Sequence, residues 1–209
     1  MTTRYEDWKQ DKMIVNEMKK ISLYHMSQTL HLGDSLQPDF LRKKERYQPY
    51  IQALRDGGNS LNDLIENQRK GAFADWNELV KCIVEGVFEY IRETEFSMVP
   101  SRLNSSYYFE GLEHFETLYQ AGWAQEPPEK QALVHLFEIE IEEEQLHRFD
   151  MCVFDEAYDV MLERQDLQFV IGSARKYFSG GHTAEPMWEV MSDKPAKAVK
   201  DITDCLHKG

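Results

Sequence analysis

The spacing of apolar residues in this chain changes from a helical period to a strand period. Within Asp75–Thr94, eight apolar residues recur at steps of three and four, which predicts a helix that buries one stripe. Pro100 ends this helical section. Leu133–Ile141 then alternates apolar residues with glutamates, which predicts a strand with one face in water. The chain is therefore expected to combine helices with a sheet.

The same periodicity and capping signals predict the remaining elements. Helices are predicted at residues 5–19, 40–56, 60–70 and Asp166–Phe178. Short strands are predicted at Ile21–His25, Glu185–Met191 and Lys197–Ile202, with a strand-like stretch at 105–109. Strands and helices do not alternate regularly, and the sequence has no Gly-x-Gly-x-x-Gly or phosphate-loop motif. The pattern favours an α+β fold over a doubly wound sheet.

The length of 209 residues predicts a single domain with a core of its own. We expect an N-terminal helix and first strand in residues 1–39, a helical insertion in 40–97 and a strand-rich remainder in 98–209. The N-terminus is charged and no stretch has the length and apolarity of a membrane span, so we expect a cytoplasmic protein without a membrane partner.

The charge of the chain is uneven. The net charge is −13, and the first 71 residues hold 12 basic against 10 acidic side chains, whereas the remainder holds 12 against 27. An acidic surface binds phosphates poorly, so a nucleic-acid partner would have to approach the basic half. The three cysteines are widely separated, as is typical of reduced thiols, and no histidine pair has zinc-binding spacing, so we expect no metal site.

Three separated segments carry residue types that suit one reaction. His25 ends the first predicted strand within Leu-Tyr-His-Met-Ser, Tyr108 precedes Phe109 and lies eleven residues before Tyr119, and Glu189 lies in a later apolar run. Their order and spacing resemble the NAD-binding His-Tyr-Glu set of ADP-ribosyltransferases, such as poly(ADP-ribose) polymerases and diphtheria-type toxins. The resemblance implies a split antiparallel or mixed β-sheet core with the helical insertion described above.

The resemblance implies a role for each of these residues. Cleavage of the nicotinamide–ribose bond passes through an oxocarbenium-like state, which a carboxylate close to the sugar stabilises. Glu189, His25 and Tyr108 would form the catalytic set, with Glu189 on the 2′-hydroxyl of the nicotinamide ribose. The resemblance places His25 and Ser27 at the adenosine-side ribose and Tyr108 and Tyr119 around nicotinamide. Arg102, in Pro100-Ser-Arg, would complete the NAD-binding set by binding the pyrophosphate if it faces the cleft.

The function that this resemblance implies is transfer of one ADP-ribose from NAD to a macromolecular acceptor, either a protein or a nucleic acid. Stand-alone bacterial members of the family are frequently toxins of conflict or phage-defence systems, which makes an antitoxin a further expected partner. Three alternatives stay open. They are an NAD glycohydrolase, a member of the RNA 2′-phosphotransferase branch of the same fold, and a non-catalytic interaction module that presents the amphipathic helix Asp75–Thr94.

Overall fold

A computed structural model describes residues 19–38, 40–57, 75–121 and 123–206 of the chain. These residues form an α+β fold of six α-helices and two antiparallel sheets. The helices predicted at 5–19 and 60–70 lie outside the described residues. Within those residues, no helix combines the length and the apolar character that a membrane crossing requires.

The helices and strands are numbered in chain order. The helices are α1 (Phe40–Arg55), α2 (Trp76–Glu95), α3 (Glu113–Ala121), α4 (Pro128–Gln131), α5 (Met151–Arg164) and α6 (Leu167–Phe178). The strands are β1 (Lys20–Ser27), β2 (Ser35–Leu36), β3 (Ser106–Tyr108), β4 (His135–Glu142), β5 (His147–Asp150), β6 (Trp188–Ser192) and β7 (Ala196–Asp201). Single 3₁₀ turns lie at Arg102–Asn104, Trp123–Gln125, Glu143–Gln145 and Thr203–Cys205.

The strands form two sheets that pack face to face. The first sheet has the order β1-β4-β7-β2 and the second has the order β3-β6-β5. One apolar cluster joins Leu23 and Ile139 of the first sheet to Tyr108 and Val190 of the second. The backbones of Tyr24 and Phe109 also pair, which links the two sheets at one end. The predicted alternation of β4 is confirmed, because its apolar residues are buried towards this interface.

The helical layer covers the other face of the second sheet. Phe149 and Met191 of that sheet belong to a large core formed with α1, α2, α5 and α6. Helix α2 lies at the centre of this core, and the helix predicted at Asp75–Thr94 is confirmed, with Asp75 accepting a hydrogen bond from the Asn77 amide as its N-cap. Gly86 allows α1 to pack closely, since a Cβ there would lie 2.7 Å from the Cβ of Tyr50. The result is three layers, with the second sheet in the middle.

Helix α5 and strand β5 lie between the strand predicted at Leu133–Ile141 and the helix predicted at Asp166–Phe178, where the sequence predicts no element. Asp150 begins α5, because its side chain accepts a hydrogen bond from the Cys152 amide. The helix buries only Val153, Phe154, Ala157 and Met161 and carries many acidic side chains between them. Its apolar period is therefore weak in the sequence, and tertiary packing against α2 and α6 supplies its stability.

Candidate active site

A cavity of about 420 Å³ lies where the second sheet meets the helical layer. Its size falls within the range of small-molecule sites, roughly 300–1,000 Å³. Charged residues on its wall come from α2, the turn before β3, α5 and β6, and they are Lys81, Glu85, Arg102, Asp155 and Glu189. Three carboxyl groups thus face two cationic side chains. This balance favours a ligand, or a transition state, that carries positive charge.

Glu189 lies on β6 and points into the helical layer. Its neighbour Val190 packs in the interface between the sheets, so strand alternation directs Glu189 to the opposite face. The residue is only 3% exposed. Arg102 Nη1 lies 2.5 Å from its Oε1 atom, and the Tyr177 hydroxyl donates a hydrogen bond of 2.6 Å to the same oxygen. The carboxylate is therefore fixed at the cavity wall by two donors.

Arg102 is the buried cation of this cluster. Its Nε atom lies 3.3 Å from Glu85 Oε2, and its guanidinium carbon lies 4.2 Å from the centre of the Phe154 ring. Burial disfavours its charge, but Glu189, two tyrosines and Glu85 outweigh this effect and keep the pKa of Arg102 above its ordinary value. Arg102 is thus shared between two carboxylates inside the fold, whereas the sequence suggested that it binds a pyrophosphate.

Two tyrosines, the partly buried Tyr107 and the fully buried Tyr177, complete the cluster as neutral hydroxyl groups. Burial raises the pKa of Tyr107 and of Tyr177 well above the ordinary value. The Tyr107 hydroxyl donates a hydrogen bond of 2.5 Å to the backbone carbonyl of Arg102. Tyr177 accepts from Arg102 at 2.6 Å and donates to Glu189. Both rings therefore orient the pair of Arg102 and Glu189.

A second set of ionic contacts positions the segment that carries Arg102. Arg92 donates two hydrogen bonds to the carboxylate of Glu89, at 2.9 and 3.1 Å, and one to the carbonyl of Val99. The Ser101 hydroxyl donates to Glu89 at 2.8 Å and also caps the turn by accepting from the Leu103 amide. Glu89 is only 4% exposed, so these bonds form away from water. They fix the chain immediately before Arg102.

Asp150 fixes the segment that leads into β6. Its carboxylate is fully buried and accepts hydrogen bonds from the Thr183 amide and hydroxyl, both at 2.7 Å, and from the Met187 amide at 2.9 Å. Burial acts to raise the pKa of Asp150, but these bonds and that from the Cys152 amide outweigh it and lower the pKa. The start of β6, and with it Glu189, is thereby tied to the start of α5.

Asp155 lies on α5 at the mouth of the cavity. The residue is exposed overall, yet its carboxyl group is close to enough protein atoms to lose part of its hydration. This partial desolvation, followed by the negative charge of Glu189, raises the pKa of Asp155 to about 6. Two acids in different surroundings therefore face one cavity, since Glu189 is ion-paired with Arg102 whereas the carboxyl group of Asp155 has a raised pKa.

His25 and Tyr108 lie together on the other side of the second sheet. The Tyr108 ring is fully buried between the sheets, and its centre lies 5.8 Å from the centre of the His25 ring. His25 Nδ1 lies 2.8 Å from the carbonyl oxygen of Tyr107. Burial raises the pKa of Tyr108 to about 12, with the Ser106 side chain acting in the opposite direction. Tyr108 and Glu189 thus point to opposite faces of one sheet.

The other two predicted NAD-binding residues lie elsewhere. Ser27 ends β1, and its hydroxyl oxygen accepts from the amides of Thr29 and Leu30, both at 3.2 Å. Tyr119 lies on α3, where its hydroxyl donates to Gln131 at 3.3 Å and its ring borders a different cavity. The structure brings Arg102 together with Glu189 and His25 together with Tyr108. It does not bring all the predicted residues into one cleft.

Four further residues belong to the site without being predicted from the sequence, and they are Tyr107, Tyr177, Glu85 and Asp155. Glu85 could be predicted from the sequence, because it interrupts the buried side of α2 between Val84 and Gly86. A glutamate at such a position requires a cationic partner. Tyr107 immediately precedes Tyr108, the tyrosine that the resemblance favours. Tyr177 and Asp155 lie on helices where nothing in the local pattern distinguishes them from core and surface residues.

The chemistry of the cavity is that of carboxylates and hydroxyl groups. Among the described residues, no cluster of three or more His, Cys, Asp or Glu side chains is arranged to bind a metal ion. The protein is thus an α+β protein with an acidic cavity between a sheet and a helical layer. It belongs to the family described as "Protein of unknown function (DUF2441)", whose model matches residues 2–204. None of the proteins with a curated description matches the chain significantly.

Proposed function

We propose that the protein cleaves a glycosidic bond in the cavity beside Glu189, with NAD as the substrate, and transfers ADP-ribose to a macromolecular acceptor. The observation that carries this proposal is the Glu189 carboxylate, buried and held by Arg102 and Tyr177 at the wall of an acidic cavity. The geometry supports the type of bond that is broken. The choice of NAD rests on the order and spacing of residues that resemble ADP-ribosyltransferases.

A fixed carboxylate is the main requirement of this reaction. As the bond between nicotinamide and ribose breaks, nicotinamide leaves with the bonding electron pair and positive charge develops on the sugar. Glu189 would lie beside that charge, and since Arg102 and Tyr177 already orient it, it would need little rearrangement in the transition state. The excess of carboxyl groups at the cavity favours the same charge.

The proposal changes the roles of the other residues. Arg102 would position Glu189, since its Nε atom pairs with Glu85 and its Nη1 atom pairs with Glu189. Tyr107 would take the place in the cavity that the sequence suggested for Tyr108. His25 and Tyr108 would stabilise the packing of the two sheets.

The acceptor distinguishes transfer from hydrolysis. A protein or nucleic acid that carries the label after incubation with labelled NAD and cell extract identifies a transferase. Free ADP-ribose without a labelled macromolecule identifies an NAD glycohydrolase. A toxin of a conflict or phage-defence system, with an antitoxin as its partner, is the biological setting we propose for the transferase.

The proposal is tested by comparing Glu189→Gln with His25→Ala in that assay. We expect Glu189→Gln to lower the rate of NAD cleavage by roughly 10²- to 10³-fold, the cost of removing one preorganised electrostatic group from a transition state. His25 lies on the far face of the sheet, so the rate of NAD cleavage per folded molecule of His25→Ala is expected to stay within about threefold of the wild-type rate. A threefold change corresponds to under about 1 kcal/mol in the activation free energy. Circular dichroism establishes that both variants are folded.

Two outcomes contradict the proposal. A Glu189→Gln variant that cleaves NAD as fast as the wild type removes the carboxylate from the reaction. A wild-type protein that neither binds NAD in calorimetry nor consumes it favours the non-catalytic interaction module instead.

A further inference from the structure

We propose that Asp155 is a second catalytic residue of this cavity and accepts the proton that the acceptor loses when ADP-ribose is transferred. This inference rests on the proposed function, because it assigns the proton of the same reaction. It also predicts the chemistry of the acceptor, which must present an O–H or N–H group at the mouth of the cavity.

Asp155 lies on the turn of α5 that borders the cavity. One turn of this helix, Met151 to Asp155, supplies three residues of the cavity wall, namely Met151, Phe154 and Asp155. Phe154 packs beneath the guanidinium group of Arg102, which places this turn directly beside the ion pair with Glu189. Asp155 is the exposed member of the three, so it lies where a macromolecule approaching from solvent meets the cavity.

Asp155 also differs from the other acids of the cavity in the contacts of its carboxyl group. Glu85 and Glu189 each bind Arg102. Asp155 forms no hydrogen bond or ion pair with any residue that the structure describes. It is therefore the acid of this cavity that is available to exchange a proton with a bound molecule.

The groups around Asp155 make its carboxylate more basic. Desolvation is the main cause of its raised pKa, and the charges of Glu189 on β6, Asp159 on α5 and Asp150 at the end of β5 act in the same direction, whereas Arg102 opposes them. The other titratable groups on the cavity wall are Lys81 and Glu85 on α2, Tyr47 on α1 and Tyr107 on β3. A carboxylate surrounded in this way is a stronger base than an ordinary aspartate, and it is still deprotonated at pH 7.

The step balances without any further reagent. The bond between nicotinamide and ribose breaks and its electron pair stays on nicotinamide, which leaves as a neutral molecule. A lone pair of the acceptor forms the new bond to the same ribose carbon, and the acceptor proton moves to Asp155. Glu189 remains beside the sugar throughout, so the two carboxyl groups have separate tasks.

The test compares Asp155→Asn with Asp159→Asn, an exposed acid one turn further along α5. Single-turnover rates of NAD cleavage with acceptor present are measured between pH 5 and 8. We expect Asp155→Asn to lose about 10²-fold at pH 7.5 and to lose the fall in rate that the wild type shows below about pH 6. Asp159→Asn retains the rate at pH 7.5 and moves the fall in rate only slightly to lower pH, because the charge of Asp159 raises the pKa of Asp155 less than desolvation and Glu189 do.

A second readout separates a base from a structural residue. Asp155→Ala should regain activity as formate is added, because a small carboxylate can occupy the vacated position, and Asp159→Ala should not respond to formate. The inference is wrong if Asp155→Asn keeps the pH profile of the wild type, or if formate does not restore activity to Asp155→Ala. If Glu189→Gln is slow in the same assay, the proposed function is still supported. A wild-type protein that does not consume NAD overturns both.

Discussion

The two faces of the second sheet differ in what they bury. One face packs Tyr108 and Val190 against the first sheet in an apolar interface, and the other presents Glu189 and Tyr107 to a polar cavity. Tyr107 and Tyr108 are adjacent in sequence, as are Glu189 and Val190. Strand alternation places the two members of each pair on opposite faces of the sheet. A shift of one position along a strand thus exchanges a packing residue for a site residue.

The largest predicted change in stability follows from removal of Arg102, the buried cation on the polar face of the second sheet. Arg102→Met leaves Glu85 and Glu189 as buried carboxylates without their partner, which is expected to lower the free energy of unfolding by roughly 3–5 kcal/mol. Urea denaturation at pH 7.5 measures the change. Arg175→Met breaks the exposed pair with Glu95 and is expected to cost no more than about 1 kcal/mol.

A triple variant identifies the cause of that loss. Adding Glu85→Gln and Glu189→Gln to Arg102→Met removes the uncompensated charges while the packing volume stays nearly the same, so part of the stability should return. If the triple variant is as unstable as Arg102→Met alone, lost packing of the guanidinium group on Phe154 explains the effect, and charge does not.

Removal of single hydroxyl groups makes the same comparison at a smaller scale. The Tyr177 hydroxyl bonds to both members of the pair of Arg102 and Glu189, so Tyr177→Phe should destabilise the protein by roughly 1.5–3 kcal/mol, as expected for hydrogen bonds to charged groups. Tyr108→Phe removes a hydroxyl that is buried in the apolar interface without a hydrogen-bond partner among the described residues, so it should change the stability by less than about 1 kcal/mol. Equal losses in the two variants, measured by thermal or urea unfolding, would contradict this division of the sheet.

The sequence was sufficient for elements with a strong period. The buried stripe of α2, the alternation of β4 and the capped helix at Asp166–Phe178 are all confirmed, because each reflects a local pattern that packing preserves. Helix α5 was not predicted, since its apolar residues are few and acidic ones surround them. Local pattern and tertiary packing agree in the first group and diverge in the second.

The candidate site was only partly accessible from the sequence. The sequence predicts both Glu189 and Arg102 as site residues, and the two are in contact. Arg102 binds the carboxylate of Glu189, whereas a pyrophosphate is the partner expected from the sequence. The choice of Tyr108 over Tyr107 depended on which face of β3 each residue occupies, and a strand of three residues carries too short a pattern to decide that. Asp155 acquires its character from groups distant in sequence, such as Glu189, which only the fold brings near.

The smallest predicted effect concerns the stability cost of Asp155. Its folded pKa of about 6 lies above the ordinary value, so the folded state binds the proton more tightly, and stability falls as pH rises from about 4 to about 6. Asp155→Asn removes this penalty and should be more stable than the wild type above pH 6, by no more than about 1 kcal/mol because water screens the exposed side chain. The advantage should shrink as pH is lowered towards 4.

Asp159→Asn provides the control, because it removes an acid from the same helix while the Asp155 carboxyl group, its desolvation and the charge of Glu189 stay in place. The two variants share Asp150, whose lowered pKa makes stability fall in acid, so the difference between their urea-unfolding curves isolates Asp155. A variant that gains stability above pH 6 while losing NAD cleavage would show that the fold retains this acid for function at a cost in stability. If the free energies of unfolding of the two variants differ by the same amount at every pH, the raised pKa of Asp155 is contradicted.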